Sequence, residues 1–148
     1  MTKLIHKKGD LFTSNAGALA HGVNTRGAMG AGIAKQFRDR YPEMYKEYRV
    51  QCADKTLVPG GMMGWIPEEG PAIYNVASQD FPGPHAKIEW LSAGLWNALR
   101  DAEQRGIQTV AIPRIGSGIG GIPQEVVEAY VRGIAEASPV DVEIWDLE

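Results

Sequence analysis

The sequence predicts an α/β fold, a three-layer α/β/α sandwich around a central mixed, mostly parallel sheet. Three observations carry that prediction. Short apolar runs of strand length alternate with segments whose apolar residues recur at helical spacing. One run, Thr109 to Ile112, reads as a continuous apolar strand of the kind found in a sheet covered on both faces. Two glycine-rich turns, Asn24 to Ile33 and Pro113 to Ile122, each follow a strand-like run and each open a helix-like one. Such turns gather backbone N–H groups and the positive end of a helix dipole at one spot, so each builds an anion hole, and two suggest a diphosphate gripped from both sides.

The elements follow in order. Leu4 to His6 is a short first strand, and Gly9 to Phe12 ends it with a turn. Ala18 to Asn24 reads as a buried strand entering the first glycine turn, after which Ile33, Ala34 and Phe37 share one helix face. Pro42 restarts the chain into a second helix with Met44, Tyr45, Tyr48 and Val50 as its inner face. Met62 to Ile66 and Ala72 to Val76 are adjacent strands joined by the turn between Pro67 and Pro71, and Ser78 to His85 is loop. Ile88, Leu91, Leu95 and Leu99 mark a helix stopped by Gly106. After the strand Thr109 to Ile112 and the second glycine turn, Pro123 sits where a helix N1 residue belongs. Val126, Val127, Tyr130, Val131 and Ile134 supply that helix's inner face, and Val140 to Trp145 is the last strand.

Composition narrows the function classes. At 148 residues and 44% hydrophobic, the chain is expected to form one domain, residues 1–148, with its own core. A formal charge of −3 with mixed signs argues against general nucleic-acid binding, although Lys35, Arg38 and Arg40 form a small basic cluster. The single cysteine, Cys52, points to a reducing cytoplasm. No apolar stretch reaches membrane-spanning length, and no signal-peptide core follows the first residues. The expected protein is cytoplasmic, without a membrane partner.

Gly116 to Gly121 fits G-x-G-x-x-G, and Asp141 stands about where a ribose-binding acid would, so a dinucleotide oxidoreductase enters as an alternative. Against it, Asp141 falls near the start of its strand rather than the end, and few residues follow to complete such a domain. No Walker lysine follows either turn.

Gly9 to Phe12, Ala20 to Asn24, Met29 to Ala34 and Pro113 to Gly118 together resemble the macrodomain family, in order and across nearly the whole chain. The resemblance is to the branch that holds the terminal ADP-ribose protein glycohydrolase and the bacterial antitoxin that removes ADP-ribose from DNA. It implies a fold that binds ADP-ribose or an ADP-ribosylated macromolecule; separately, the chain is expected to act as a monomer, with no metal and no cofactor.

By that resemblance Asp10, with Leu11 beside it, matches the acid that accepts from the adenine amino group, a group that only donates. The alternative is an Asp10 that caps the turn after Gly9. Trp145 matches an aromatic beside adenine, or else packs at the rim. Gly30, Ala31, Gly32 and Ile33 correspond to the first phosphate and ribose loop. Ile115, Gly116, Ser117, Gly118, Ile119 and Gly120 correspond to the second. Asn24 matches a polar residue at the distal ribose, or satisfies its own loop. His21, within an apolar run, reads as a core histidine, and Arg26 and Arg114 as solvated charges that can reach phosphate.

The same branch implies a lysine after the Ile73 to Val76 strand and an acid in the second turn; Ser78 or Gln79 and Gly120 stand there instead. A lysine amine can attack an anomeric carbon and a carboxylate can resolve the intermediate, whereas serine, glutamine and glycine cannot replace that pair. The remaining candidates for positioning a hydrolytic water are Asn24, Asp80 and His85. They leave an ADP-ribosyl ester, an acetyl ester or ADP-ribose 1''-phosphate as possible substrates, with a non-catalytic ADP-ribose reader or scavenger as the alternative. Lys87, in the next helix's first turn, lies too far along to replace the missing lysine.

Overall fold

The computed structural model describes residues 4–115 and 120–147. Among these, six strands form one sheet: β1 (Leu4–Lys8), β2 (Ala18–Val23), β3 (Met62–Trp65), β4 (Ala72–Ala77), β5 (Thr109–Ile112) and β6 (Asp141–Asp146), in the order β1-β6-β5-β2-β4-β3. Every neighbouring pair is parallel except β3 with β4, the pair that a short turn joins. Parallel neighbours need crossovers, supplied by α1 (Gly32–Arg40) and α2 (Pro42–Ala53), then α3 (Ile88–Gln104) and α4 (Gln124–Glu136).

Strand periodicity sorts the core into two halves. Ala18, Ala20, Tyr74, Val76, Val110 and Ile112 point to one face and pack with Leu91, Leu95 and Leu99 of α3 and Val127 and Val131 of α4. Leu19, Val23, Ile73, Ala77 and Ala111 alternate onto the other face, against Phe37 of α1 and Met44 and Tyr48 of α2. A strand apolar on both faces shows no alternation in sequence, as β5 does. The three-layer sandwich expected from the sequence is therefore present, and no helix of the described residues is long and apolar enough to cross a membrane.

Three details differ from expectation. Val50 is 54% exposed rather than on the inner face of α2: Met44 and Tyr48, four apart, form the buried stripe, and Val50 lies about 200° beyond Tyr48. Tyr130 is 48% exposed because the buried line of α4 runs Val127, Val131, Ala135 and leaves Tyr130 at its edge. Pro123 is the N-cap of α4, not its first turn, with extended ψ of 137°.

The topology also sets where a ligand can go. After β2 the chain turns to the face of α1 and α2, whereas after β4 and β5 it turns to the face of α3 and α4. The loops leaving these neighbouring carboxyl ends diverge, opening a crevice at the switch point.

Candidate functional site

Asn24 follows directly on β2 and organises the first glycine turn. Its Oδ1 accepts from the backbone N–H groups of Arg26 at 2.9 Å and Ala28 at 3.3 Å, and its Nδ2 donates to the Ala28 carbonyl at 2.8 Å. From α2, the buried Tyr48 hydroxyl reaches the Asn24 carbonyl at 2.7 Å and Oδ1 at 3.1 Å. Burial raises the Tyr48 pKa well above the usual phenol range, so this hydroxyl stays a donor. The loop is thus tied to both the sheet and α2.

The turn ends in Ala31, the N-cap of α1, which has no side-chain cap, and in Gly32 with φ of 59°. A left-handed residue at a helix start aims successive N–H groups at one point, and only glycine adopts it without penalty. These uncapped amides face a cleft of about 360 Å³, a volume typical of small-molecule sites.

Gly30, Ala31, Gly32, Ile33 and Asn24 form one side of that cleft, Ser78, Gln79, Pro82 and Gly83 from the loop after β4 another, and Arg114, Ile115 and Gly120 from the loop after β5 the third. The floor is tight: a β-carbon on Gly22 would lie 2.7 Å from Ser78 Oγ and 2.8 Å from Ile115 Cγ2. Gly116, Ser117, Gly118 and Ile119, the center of the second glycine turn, lie outside the described residues. Arg114 is anchored by Asp146, with Nη2 and Nε at 2.9 and 3.2 Å from Oδ2.

Gln79, which with Ser78 is a candidate for the position where the family resemblance calls for lysine, approaches Gly120, where it calls for an acid. A β-carbon on Gly120 would stand 3.4 Å from Gln79 Oε1 and 3.1 Å from the Ala86 β-carbon, so a larger residue there needs its neighbours to shift. Gln79 turns its amide nitrogen back to the carbonyls of Phe81 and Gly83, at 2.6 and 3.0 Å. Neither residue is a nucleophile.

Asp10, Leu11 and Trp145 sit together at the carboxyl ends of β1 and β6, beyond the residues that line the cleft. Asp10 Oδ1 accepts from Phe12 N–H at 3.0 Å and caps the 3-10 turn Leu11–Thr13, the local role expected as its alternative. The Leu11 side chain is in the core. Trp145 lies alongside Gly9 and donates its indole N–H to Glu143 at 2.8 Å.

Of the water-positioning candidates, Asn24 alone lines the cleft. Asp80 faces a separate depression behind the first turn, and His85 is exposed beside Phe81. Lys87 is the N-cap of α3 and lies over Trp90. His21 is a core residue: fully buried, stacked 3.8 Å from Phe37, with Nε2 at 2.7 Å from Asn75 Oδ1. Asn75 Nδ2 is bound to the Met63 carbonyl, so its oxygen accepts and His21 carries its proton on Nε2. Burial lowers the His21 pKa from 6.5 to about 4. Sequence reasoning missed the Tyr48 tether and the Arg114 to Asp146 pair, both contacts between residues distant along the chain.

The Macro domain family pattern matches residues 20–131. The chain is 33% identical to the DNA ADP-ribosyl glycohydrolase of Mycobacterium tuberculosis, over 96% of this chain and 42% of that protein. It is 42% identical to the ADP-ribose 1''-phosphate phosphatase of Meyerozyma guilliermondii, over 89% of this chain and 94% of that one. The solved macrodomain of Mycobacterium tuberculosis DarG superposes with a TM-score of 0.89 at 31% identity, covering 100% of both chains. The chain spans about two fifths of the first curated relatives it matches. Matching the family pattern over most of its length, the chain belongs to the macrodomain family.

Proposed function

We propose that the carboxyl ends of the sheet bind ADP-ribose in an extended pose. The observation that carries this reading is the order of the candidate groups along the sheet. Asp10 and Trp145 stand at β1 and β6, Arg114 and Ile115 after β5, Asn24 and the α1 amides after β2, and Gln79 after β4. These five strands span four spacings, about 19 Å, a row suited to a long ligand with an adenine end, a central diphosphate and a distal ribose. In this pose adenine lies at Asp10 and Trp145, and the diphosphate lies between the α1 amides on one side and Ile115 and Gly120 on the other. The distal ribose lies by Asn24 and Gln79. The chain works in the cytoplasm as a monomer.

Binding without turnover is the reading the geometry supports best, because Gln79 and Gly120 supply neither nucleophile nor acid and the amide of Asn24 is engaged by its own loop. A second reading, hydrolysis of an ADP-ribosyl derivative, is favoured by the 42% identity to a phosphatase that the chain covers almost completely. In it, Asn24, which alone of the three water-positioning candidates lines the cleft, positions the water. Incubation with ADP-ribose 1''-phosphate, an ADP-ribosyl ester and ADP-ribosylated DNA separates the two. Tight binding with no released phosphate or ADP-ribose supports a reader, whereas release of phosphate or ADP-ribose by the wild-type protein supports an enzyme. Failure to bind ADP-ribose sinks both.

A further inference from the structure

A second depression, of about 480 Å³, lies behind the first glycine turn and shares a wall with the cleft. Residues of the same two loops face opposite ways: Asn24 and Gln79 line the cleft, Arg26 and Asp80 the depression. Three cations line it, Arg26, Arg49 and Lys55, and none makes an ion pair with a carboxylate among the described residues. Lys35, Arg105 and Arg114, by contrast, each have a carboxylate within 3 Å. In a chain of net charge −3, three unpaired cations against the single carboxylate of Asp80 reverse the local sign.

The arrangement favours a phosphate over a carboxylate and a polynucleotide over a peptide. Two guanidinium forks match the oxygens of a phosphate. Arg26 is held with its Cζ 3.7 Å from the Phe81 ring center, which leaves its edge N–H groups for a ligand. Phe81, the ring under Arg26, is itself 45% exposed, and cations interleaved with an exposed ring are what a nucleic-acid strand exploits. We propose that this depression is a second anion subsite, which takes a backbone phosphate of a polynucleotide whose ADP-ribosyl group occupies the cleft. The inference rests on the ADP-ribose reading of the cleft.

The test titrates the full chain, at low and high salt, with free ADP-ribose and with a short single-stranded oligonucleotide carrying one ADP-ribosyl group on a base. Wild type is compared with the doubly substituted Arg49→Gln, Lys55→Gln protein and with Arg49→Glu, each checked for an unchanged melting temperature. The expected result is equal affinity of all three proteins for free ADP-ribose. The modified oligonucleotide binds wild type more tightly than free ADP-ribose does. The double substitution removes about tenfold of that advantage and lowers the salt slope by about 1.4, or 0.7 for each charge lost. Loss of the oligonucleotide's advantage in wild type, or its survival in both variants, overturns the subsite while leaving the ADP-ribose reading intact. An ADP-ribosylated acidic peptide that loses as much on substitution overturns the assignment to a polynucleotide. Absence of free ADP-ribose binding to wild type is the distinct result that removes the underlying reading.

Discussion

Asn24 carries the first turn almost alone. Its side chain satisfies two backbone N–H groups and one carbonyl and accepts from Tyr48, so truncation leaves several polar groups at the strand end unpaired. We expect Asn24→Ala to lower stability by about 1 to 3 kcal/mol and to weaken ADP-ribose binding with it, as denaturant melts and titration of the same sample will show. His21 gives a second prediction at this scale. Between its unfolded pKa of 6.5 and its folded value of about 4, the unfolded chain binds a proton that the folded chain excludes. Its contribution is therefore intact above pH 6.5 and is lost as pH falls toward 4, by up to about 3 kcal/mol. His21→Gln should flatten that part of the acid slope in denaturant melts; an unchanged slope would assign the acid sensitivity to other groups.

Among the elements, α3 shows packing overriding propensity. Gly94 lies inside a helix, where alanine is ordinarily better by up to about 1 kcal/mol. A β-carbon there would sit 2.7 Å from Val76 Cγ1 and 2.8 Å from the Gly61 carbonyl oxygen, and a backbone atom cannot step aside as a flexible side chain would. Gly94→Ala should therefore destabilise by about 1 to 2 kcal/mol, read as a lower denaturation midpoint at unchanged slope. Elements whose signal is local were legible in sequence: the run into Asn24, the helical spacing from Ile88 to Leu99, the unbroken β5. Local periodicity misled at a stripe edge, Tyr130, and on the far face of α2, Val50. Val50 and Tyr130 are apolar enough to suggest an inner face, but the helix rotates them away from it.

For the whole molecule, sequence motifs indicated the cleft-lining residues Gly30 to Ile33, Ile115 and Gly120 but not how they are braced. The glycine turns and the Gly9-Asp10 turn are contiguous strings, readable by themselves. Tyr48 reaching Asn24, Asp146 anchoring Arg114, and Gln79 meeting Gly120 each depend on chain reversals that no single segment encodes. The same holds for the cationic depression, whose arginines and lysine come from a turn and from the end of a helix. What unites them is one row of groups along the carboxyl ends of five parallel strands. Calorimetric titration with ADP-ribose and with NAD tests that row most directly. The account predicts a single site that prefers ADP-ribose and weakens on Asp10→Ala at one end and on Gly32→Val near the middle, whereas tighter binding of NAD, or affinity indifferent to both substitutions, would contradict it.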